Sequence, residues 1–390
     1  MQQSIKNIYH LCIAVLAVIW YGFPGQKLTV IGVTGTDGKT TTTSLIYHIL
    51  RDAGKKVSMV STVSAVISGK VYDTGFHVTT PSPWAVQKFL RKAIDSGDEY
   101  MVLEVTSHAL DQYRVWGISF LIGVLTNVTH EHLDYHKTYE RYVKTKIKLL
   151  ETSAVAVVNI EDQSYEIVRP QLENGKMVIT YGLKSGDVNA INFLFKTKLI
   201  GNFNKYNCLA AVAVAKELKI AEKTIRGSLG TFLLPKGRME LVHDDGFQVV
   251  VDFAHTPNAI SHVLQALRGE TAGRIIHVFG SAGDRDTSKR PFMGAASAQY
   301  ADVIILTAED PRSERVENII EDIEAGIKNL KEIEVLKIPN RENAIWKALS
   351  LAKKDDTVVI TGKGHELSMN LGQGEVPWSD QEVVEKALKA

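Results

Sequence analysis

A strand followed by a glycine-rich loop and a helix is the feature that most constrains the fold of this chain. The apolar run Leu28–Val33 precedes the loop Thr34–Thr42 (TGTDGKTTT), which opens a helical pattern. Glycines let backbone N–H groups curl around a phosphate, and the helix N-terminus adds its positive end. Lys39 would then reach the terminal phosphates, and the Thr40 hydroxyl would bind Mg²⁺. The alternative is a glycine-rich turn without nucleotide, because the first glycine of the strict pattern falls at Val33.

Strand-like apolar runs and helical segments alternate along nearly the whole chain. Ten runs are predicted to be buried strands: Leu28–Val33, Lys56–Thr62, Tyr100–Val105, Phe120–Thr126, Ala154–Asn159, Gln248–Phe253, Ile275–Gly280, Val303–Thr307, Glu334–Ile338 and Thr357–Thr361. The segments between them have helical length and period, for example Glu314–Leu330 and Arg341–Lys353. This pattern predicts an α/β protein of two successive Rossmann-like domains with mostly parallel sheets. The predicted domains are 27–235, which contains the P-loop, and 236–390.

Bulk composition gives little indication of a partner. The 45 basic and 44 acidic residues nearly cancel, so bulk charge argues neither for nor against nucleic acid or membranes, and any anion site must be built locally. No nucleic-acid partner is expected. Two cysteines, Cys12 and Cys208, form neither a disulfide framework nor a C-x-x-C motif, which fits a reducing compartment.

The N-terminal segment 1–26 contains the apolar run Leu11–Phe23. This run is shorter than the roughly 20 residues that a membrane span needs, and no small-residue cleavage site follows it. We expect a helix that packs against the body of the protein, with a membrane-associating segment as the alternative. A nucleotide loop beginning at Thr34 also needs cytosolic ATP, so we expect a cytoplasmic protein without a stable membrane span.

Polar residues follow two of the predicted strands. Glu104 lies at the end of Tyr100–Val105, and His132 lies in the polar segment after Phe120–Thr126. Ligands of open parallel sheets gather beyond the carboxyl ends of the strands, so both side chains could hold Mg²⁺ near the P-loop. Each could instead be a solvated surface residue, and only their recurrence around one crevice favours the metal.

Lys146 lies inside an apolar helical stripe. At about 100° per residue, Tyr139, Val143, Ile147 and Leu150 share one face of the predicted helix, and Lys146 falls among them. A lysine in this position either extends its amine to solvent along the apolar surface or is desolvated for a special task. The residues alone favour the first interpretation.

Further polar signatures lie at the junction and in the second domain. Asn204 and Asn207 precede a helical run and could cap it or recognise a base, and capping is the simpler interpretation. Five later signatures follow predicted strands or the domain junction: Gly237–Glu240, Asp252–Pro257, Gly280–Asp286, Asp310–Glu314 and Thr361–Glu366. Each could be turn chemistry by itself, but together they favour a site at one edge of the second sheet.

Taken together, these motifs resemble the Mur ligases of cell-wall synthesis from about Lys27 to the C-terminus. The segments that carry the resemblance are Gly35–Thr42, Glu104–Leu110, His132–His136, Gly201–Asn207, Gly237–Glu240, Asp252–Pro257 and Gly283–Arg290. Ser107–Leu110 and Gly362–Glu366 are most similar to the branch that adds the third residue of the wall peptide, the UDP-N-acetylmuramoyl-tripeptide synthetases. The resemblance implies an ADP-forming ligase of peptidoglycan biosynthesis, in which 236–390 binds the incoming amino acid.

The resemblance also implies roles for individual residues. The implied ATP-binding residues are Gly35, Thr36, Asp37, Gly38, Lys39, Thr40, Thr41, Asn127, Asn204, Asn207, Arg238, Asp252 and His255. The implied ligands of two Mg²⁺ ions are Thr40, Glu104, His132 and a carboxylated Lys146, and the implied catalytic residues are Lys39, Glu104, His132 and Lys146. Contacts to the muramoyl-peptide are implied for Thr79, Thr80, Ser107 and Arg114, and contacts to the amino acid for Asp310, Arg312, Gly362 and Glu366.

The implied reaction passes the γ-phosphoryl of ATP to a peptide carboxylate, and the amine of the incoming amino acid then attacks the acyl phosphate. Because residues of both domains take part, domain closure is expected to gate turnover. Members of this branch carry an N-terminal domain that binds the uridine diphosphate. Here the P-loop begins at Thr34, which leaves no room for that domain. The alternatives are a minimal enzyme, a ligase that uses another peptide carrier, and a ligase that relies on a partner for this function.

The identity of the amino acid stays open at this stage. The branch that uses meso-diaminopimelate typically has Asp-Asn-Pro-Arg where this chain has Glu309-Asp310-Pro311-Arg312. Arg312 could clamp a distal carboxylate, whereas Asp310 adds negative charge that would favour L-lysine. Diaminopimelate is the preferred hypothesis. The alternatives are a ligase for another carboxylate, such as a folylpolyglutamate, and a non-catalytic binding relative.

Overall fold

The structure is a computed structural model that describes residues 2–72, 79–129, 131, 133–172, 175–327 and 333–389. The chain forms two compact units. The first comprises Met1–Thr129 and His136–Leu233, and the second comprises His130–Tyr135 and Leu234–Ala390.

Within the described residues, the first unit is built around a nine-stranded sheet with the order β4-β3-β2-β5-β1-β6-β7-β8-β9. Its strands are β1 (Thr29–Thr34), β2 (Val57–Val60), β3 (Ala65–Ile67), β4 (Lys70–Tyr72), β5 (Tyr100–Glu104), β6 (Phe120–Leu125), β7 (Ser153–Asn159), β8 (Met177–Gly182) and β9 (Val188–Asn189). The pairings of β2 with β3 and of β3 with β4 are antiparallel, and the other pairings are parallel.

Helices cover this sheet and connect its strands. They are α1 (Gln2–Trp20), α2 (Lys39–Asp52), α3 (Pro83–Asp95), α4 (Ser107–Asp111), α6 (Tyr139–Thr152), α7 (Tyr165–Leu172), α8 (Asn202–Glu217) and α9 (Glu222–Thr231), whereas most of the short helix α5 (Leu133–His136) belongs to the second unit. The start of α6 shows how the sequence sets a boundary. Thr138 caps it by accepting a hydrogen bond of 3.3 Å from Arg141 N, and the buried face then runs through Val143, Ile147 and Leu150.

The second unit contains, within the described residues, a six-stranded sheet with the order β10-β11-β15-β12-β13-β14. Its strands are β10 (Glu240–Asp245), β11 (Phe247–Asp252), β12 (Ile275–Phe279), β13 (Val303–Leu306), β14 (Glu334–Lys337) and β15 (Thr357–Thr361), with the hairpin β16 (Ser368–Asn370) and β17 (Glu375–Pro377). Its helices are α10 (Pro257–Arg268), α11 (Arg290–Ala298), α12 (Val316–Glu324), α13 (Arg341–Leu351) and α14 (Asp380–Lys389). Within the six-stranded sheet, the edge strand β10 pairs antiparallel with β11 and the other pairings are parallel, whereas β16 and β17 pair antiparallel with each other as a separate sheet.

The predicted α/β architecture with mostly parallel sheets is confirmed, and each of the ten predicted strands is present with bounds within two residues. The helix predicted for Glu314–Leu330 is too long, since α12 ends at Glu324. Close packing explains the early end, because a Cβ on Gly326 would lie 1.8 Å from the carbonyl oxygen of Pro291. Residues 328–330 of that prediction lie outside the described residues.

The N-terminal helix α1 contacts α3, and its buried face contains Ala14, Ala17 and Val18, all at most 1% exposed. Contact with the body is tight at its end, since a Cβ on Gly117 would lie 2.9 Å from Val18 Cγ2. The predicted packed helix is therefore present. None of the described helices combines the length and the apolar character that a membrane crossing requires.

Candidate active site

The carboxyl ends of four neighbouring strands meet at one edge of the first sheet. The order β2-β5-β1-β6 places the segments after these strands side by side. They carry Thr62 after β2, Glu104 at the end of β5, the P-loop after β1, and Asn127 after β6. Because ligands of parallel sheets bind at this edge, the topology gathers the predicted nucleotide residues of the first unit.

Two glycines of the P-loop occupy positions that other residues cannot take. Gly35 has φ 151° and Gly38 has φ 79°. A Cβ on Gly35 would lie 1.8 Å from Thr126 Oγ1, and a Cβ on Gly38 would lie 2.2 Å from Asn207 Oδ1. The loop therefore needs glycine for close packing as well as for backbone conformation.

Residues after β6 hold the P-loop in shape. Asp37 N donates to Asn127 Oδ1 at 2.9 Å, and Asn127 Nδ2 donates back to Asp37 O at 3.1 Å. Thr126 Oγ1 donates to the same carbonyl at 2.7 Å, and Thr36 N donates to Asn127 O at 2.9 Å. Asn127, which the resemblance implied as an ATP contact, thus uses both ends of its amide to position the loop backbone.

Thr40 and Glu104 form a buried oxygen-rich pair. Thr40 Oγ1 lies 3.1 and 3.0 Å from the two carboxylate oxygens of Glu104. Thr62 completes the arrangement, with its N–H 2.8 Å from Glu104 Oε2 and its hydroxyl 2.8 Å from Oε1. Glu104 is 1% exposed and Thr40 is 4% exposed. Carboxylate and hydroxyl oxygens that converge at the start of the P-loop helix suit Mg²⁺, which prefers hard oxygen ligands.

Sequence reasoning missed Thr62. It belongs to a loop after the short strand β2, and a single threonine there carries no pattern that separates it from an ordinary turn residue.

Lys39 of the P-loop is half-buried and donates from Nζ to Thr36 O at 2.7 Å. The lysine therefore lies folded over the loop that would hold the phosphates. Thr41, the next hydroxyl after Thr40, is buried.

Lys146 is buried at 1% exposure, so the interpretation in which its amine reaches solvent is wrong. Its Nζ donates to Gly35 O at 2.6 Å and lies 4.4 Å from the ring centroid of Tyr142. Lys144 and Lys148, on the opposite face of α6, are exposed. The helix therefore delivers one of its lysines to the back of the P-loop, and burial disfavours the charged form of such an amine.

The residues implied in peptide binding lie around the end of β5. Thr80 is buried, and its hydroxyl donates to Glu104 O at 3.0 Å and accepts from Thr106 N at 3.0 Å. Arg114 donates to Thr80 O at 2.7 Å, so its guanidinium lies beside Thr80 near the end of β5. Ser107 begins α4. Thr79, next to Thr80, is half-buried.

His136 contacts Ser107 and lies beside Lys146. Its Nε2 is 3.0 Å from Ser107 Oγ, and its ring centroid is 5.0 Å from that of Tyr142. Burial lowers the pKa of His136 to about 4, with smaller contributions from His108 and Lys146. The imidazole is therefore neutral near pH 7. His132, implied as a second metal ligand, lies outside the described residues.

Asn204 and Asn207 do not cap α8, so the capping interpretation is wrong. Gly201 occupies the N-cap position, and both asparagines lie inside the helix and are buried. Asn207 Oδ1 accepts from Thr42 Oγ1 at 3.3 Å, and Asn204 Nδ2 donates to Ile200 O at 2.8 Å. Asn207 therefore lies against the end of the P-loop, and its Oδ1 occupies the space that a Cβ on Gly38 would need.

In the described residues, His, Cys, Asp and Glu side chains do not gather in a group of three or more that could hold a metal ion. Glu104 instead stands with the hydroxyls of Thr40 and Thr62. A magnesium site of this kind uses few protein ligands, because Mg²⁺ keeps several waters and binds substrate phosphates.

In the second unit, the order β11-β15-β12-β13 likewise brings the carboxyl ends of four strands together. Asp252 ends β11 and is buried. It accepts from Met239 N and Ala254 N at 2.7 Å each. Burial raises the pKa of Asp252, although the Arg238 guanidinium opposes this shift. Arg238 lies 4.5 Å from the ring centroid of Phe253, so Arg238 and Asp252 share one neighbourhood.

His255 follows Asp252 by three residues and pairs with Glu131. Its Nε2 lies 3.1 Å from Glu131 Oε1, and its Nδ1 lies 2.9 Å from Phe253 O. Burial opposes the charged imidazole most strongly, but the hydrogen bond to Glu131 and the charges of Glu131 and Glu309 together outweigh it and raise the pKa of His255. His255, like Asp252 and Arg238, therefore lies at the end of β11 where the sequence placed it.

The turn that contains Asp310 and Arg312 is strained. Both residues are left-handed, with φ 45° and 52°. Tight packing holds them, since a Cβ on Gly283 would lie 1.9 Å from Pro311 O and a Cβ on Gly372 would lie 2.6 Å from Arg312 O. Arg312 NH1 donates to Gly283 O at 3.0 Å. Strained backbone that the surroundings hold in place is common where a protein must fix a ligand-binding side chain.

Lys363 joins Asp310 to Glu366. Its Nζ is 2.9 Å from Asp310 Oδ1 and 2.6 Å from Glu366 Oε2, and its side chain is 0% exposed. Asn370 N also donates to Asp310 Oδ1 at 2.8 Å. Burial opposes the ammonium charge, but Glu366 and Asp310 outweigh it and raise the pKa of Lys363. The amine therefore neutralises one of the two carboxylates.

Glu309 is buried, and the sequence analysis assigned no role to it beside the motif residues Asp310 and Arg312. Burial raises its pKa to about 7. Its carboxylate lies close to Gly362, since a Cβ on Gly362 would be 2.4 Å from Glu309 Oε2. Gly362 therefore has to be glycine at this contact. Within the second unit, Asp310 and Glu366 thus pair with Lys363, Gly362 lies against Glu309, and Arg312 belongs to the same turn as Asp310.

Known families and proteins resemble this chain over most of its length. The family model described as the Mur ligase middle domain matches residues 33–215, and the model described as the Mur ligase glutamate ligase domain matches residues 237–364. The UDP-N-acetylmuramoyl-L-alanyl-D-glutamate–2,6-diaminopimelate ligase of Aquifex aeolicus is 40% identical over 389 residues, covering 95% of this chain and 79% of that protein. The ligase of the same name from Caldanaerobacter subterraneus is 39% identical over 396 residues, covering 96% and 81%.

Solved structures show the same fold. A structure of a UDP-N-acetylmuramoyl-L-alanyl-D-glutamate–2,6-diaminopimelate ligase is 30% identical, with a TM-score of 0.62, and covers 93% of this chain and 78% of that chain. The Escherichia coli FolC structure in complex with ADP is 20% identical, with a TM-score of 0.71, and covers 91% and 90%. At that identity the second likeness concerns the fold alone.

Proposed function

This chain belongs to the Mur ligase family, and on that premise we propose that it uses ATP to join meso-diaminopimelate to a muramoyl-dipeptide carboxylate. The observation that carries the proposal is the buried contact of 3.0 Å between Thr40 Oγ1 and Glu104 at the P-loop. It sets a hydroxyl and a carboxylate where a phosphate-bound Mg²⁺ needs oxygen ligands.

The chemistry requires little covalent work from the protein. The γ-phosphoryl of ATP passes to the peptide carboxylate, which gives ADP and an acyl phosphate, and the incoming amine then displaces phosphate to form the amide. Lys39 and the loop N–H groups neutralise phosphate charge, and Asn127 keeps the loop in shape. Thr40 and Glu104 would hold Mg²⁺, which when bound supplies charge neutralisation of the phosphates. Alignment of the reactants supplies much of the remaining acceleration.

Lys146 would act as a carbamate. A neutral amine adds CO₂ and releases a proton, which leaves a carboxylate on Nζ. Burial at 1% exposure favours the neutral amine that this addition needs. The position of Nζ, 2.6 Å from Gly35 O, would place the new carboxylate behind the P-loop as an additional oxygen ligand.

The peptide substrate would bind next to this site. Thr79, Thr80, Ser107 and Arg114 are the proposed contacts, and Arg114 already lies beside Thr80 at the end of β5. An arginine there suits the carboxylates of a muramoyl-dipeptide. Four further points stay predictions: ATP contacts from Asn204, Asn207, Arg238, Asp252 and His255, a second metal at His132, a possible partner for the uridine diphosphate, and closure of the two domains.

The charges around Arg312 favour diaminopimelate over lysine. Lys363 lies between Asp310 and Glu366, so the extra carboxylate at Asp310 is neutralised and does not attract a cationic substrate. Asp310, Glu366, Lys363 and Arg312 together carry a formal charge of zero. That set matches an amino-acid end with both an ammonium and a carboxylate, as in diaminopimelate. Lysine offers only the ammonium, which would leave Arg312 without a carboxylate to bind.

An ADP-release assay tests the proposal. Purified protein is given ATP, Mg²⁺ and a UDP-muramoyl-dipeptide, each time with meso-diaminopimelate or with L-lysine. We expect ADP release that depends on the peptide and is faster with diaminopimelate by at least about tenfold, because a missing charged partner costs at least 1.4 kcal/mol. Turnover with lysine alone would overturn the specificity. ADP release with a folylpolyglutamate and glutamate, but not with the peptide, would favour the alternative carboxylate.

We predict that Arg312→Ala raises the KM for diaminopimelate by about 10²-fold and leaves the KM for ATP within about twofold. The reason is the loss of a charge-assisted, bidentate clamp that only the amino acid uses. Steady-state kinetics with each substrate varied in turn measure both constants. Arg315→Ala is the matched control, since Arg315 is exposed, lies three residues away and pairs with Glu317 at 3.6 Å. Equal changes in both KM values would argue against a role in the amino-acid pocket.

The proposed reaction consumes ATP, so we propose that the enzyme works in the cytoplasm. The rival hypothesis of a non-catalytic relative predicts loss of the phosphate and metal residues. Lys39, Thr40, Glu104 and Lys146 are all in place around one loop. This set supports catalysis.

A further inference from the structure

Helix α1 has two apolar faces, and only one of them is covered by the described body of the protein. Its inner face, which includes Ala14 and Val18, is buried, and the helix contacts α3. Its outer face, defined here as Ile8, Tyr9, Leu16, Ile19 and Trp20, is 58–76% exposed. The spacing of these residues places them along one side of the helix, over about 18 Å at 1.5 Å per residue.

The outer face continues onto α3 through aromatic rings. The ring centroids of Trp20 and Trp84 are 6.3 Å apart, and those of Tyr21 and Trp84 are 6.1 Å apart. Trp84 is 39% exposed. A contiguous exposed apolar surface of this kind marks an interaction site, because folded chains seldom leave such a surface in water.

The charges around α1 indicate the kind of partner. Residues 1–36 contain no Asp or Glu, and their Lys and Arg content is Lys6 and Lys27, one on each side of the outer face along the chain. Lys88, one helical turn beyond Trp84 on α3, is also exposed. Cations that flank an apolar, Trp- and Tyr-containing helix face are complementary to a layer of anionic headgroups over hydrocarbon.

We propose that α1 lies in the plane of an anionic lipid surface, with its outer face in the headgroup and acyl boundary. The inner face fixes this orientation. Val18 packs so closely on Gly117 that a Cβ there would lie 2.9 Å away, and Ala14 and Ala17 on the same side are buried, so this part of α1 faces the body and presents its opposite side. Among the large side chains of the outer face, the hydrogen-bonding groups are those of Tyr9 and Trp20. These amphipathic rings prefer the membrane–water interface, whereas protein interfaces carry a polar rim.

Vesicle co-sedimentation tests this proposal, using the full chain with phosphatidylcholine vesicles that contain or lack phosphatidylglycerol. We expect binding to the anionic vesicles, and weaker binding at high salt or to the neutral vesicles. The double variant Leu16→Glu/Trp20→Glu should lower the partition coefficient by at least about tenfold, because it places two charges in the boundary layer. Both side chains are exposed in the described structure, so the melting temperature of the variant should match that of the wild type.

The control is the double variant Ile191→Glu/Leu194→Glu, which changes two residues that are 72% and 69% exposed in the same unit but far along the chain from α1. It should bind vesicles like the wild type. Two results would overturn the proposal. One is a wild-type protein that does not sediment with anionic vesicles, or whose sedimentation the α1 variant leaves unchanged. The other is a dimer in light scattering that the α1 variant converts to a monomer, which would assign the outer face to a second copy of this chain. Neither result bears on ADP release, so the ligase proposal is tested separately.

Discussion

Lys146→Ala is expected to lower ligase activity by at least about 10³-fold, with partial recovery when acetate or formate is added. The side chain is 1% exposed, and its Nζ lies 2.6 Å from Gly35 O behind the P-loop. Removing one preorganised charged group from a phosphoryl-transfer site typically costs 10²–10³-fold, and a lost metal ligand adds to that. A small carboxylate can enter the space that the side chain leaves and replace the oxygens of the carbamate. ADP release with and without the added acid measures both effects.

The choice of rescuing molecule separates two roles for Lys146. If the carbamate is the working group, carboxylates restore activity and methylamine does not. If the ammonium itself is the working group, the pattern reverses, and the carboxylation proposal fails. Lys144→Ala is the matched control, because Lys144 lies on the exposed face of the same helix. It should retain full activity and stability. Wild-type activity in Lys146→Ala would remove this residue from the mechanism altogether.

The sequence was most informative where buried strands meet a functional loop. Ten apolar runs predicted ten strands, because strands covered on both faces need continuous Val, Ile and Leu. The edge strand β14 was predicted, but two other edge strands were not predictable in this way. Strand β10 (Glu240–Asp245) is half-exposed and contains three acids, and β4 (Lys70–Tyr72) has three residues. Short polar edge strands resemble loops in sequence, since their pairing depends on a neighbour that lies far along the chain.

The candidate sites show the same division. The residues of the P-loop could be named from the sequence because the motif is contiguous and its chemistry follows from spacing. Thr62 could not, since it reaches Glu104 only through the pairing of β2 with β5. The charge at Asp310 was interpreted without Lys363, which is 53 residues away along the chain and 2.9 Å away in space. Electrostatic arguments from sequence fail at such points because the compensating charge comes from another strand end.

Arg341→Met is expected to destabilise the protein by about 3–5 kcal/mol, as is usual when one partner of a buried ion pair is removed. Arg341 and Asp380 are both 0% exposed at their side chains and share two hydrogen bonds of 2.8 Å. Arg341 also donates to Ala308 O at 3.2 Å and Thr361 O at 2.9 Å, so it ties α13 and α14 to the strand ends that carry Asp310 and Gly362.

Equilibrium unfolding in urea measures the loss, and the same two helices provide the control. The pair Glu342–Lys386 also joins α13 to α14, at 2.7 Å, but its side chains are 37% and 67% exposed. Lys386→Met should change the free energy of unfolding by no more than about 0.5 kcal/mol, because water solvates the remaining carboxylate. The contrast isolates burial, since both variants remove a cation from an α13–α14 ion pair. A loss below about 1 kcal/mol in Arg341→Met would mean that Asp380 finds water or another partner, and that the strand ends beneath the amino-acid site do not depend on this pair.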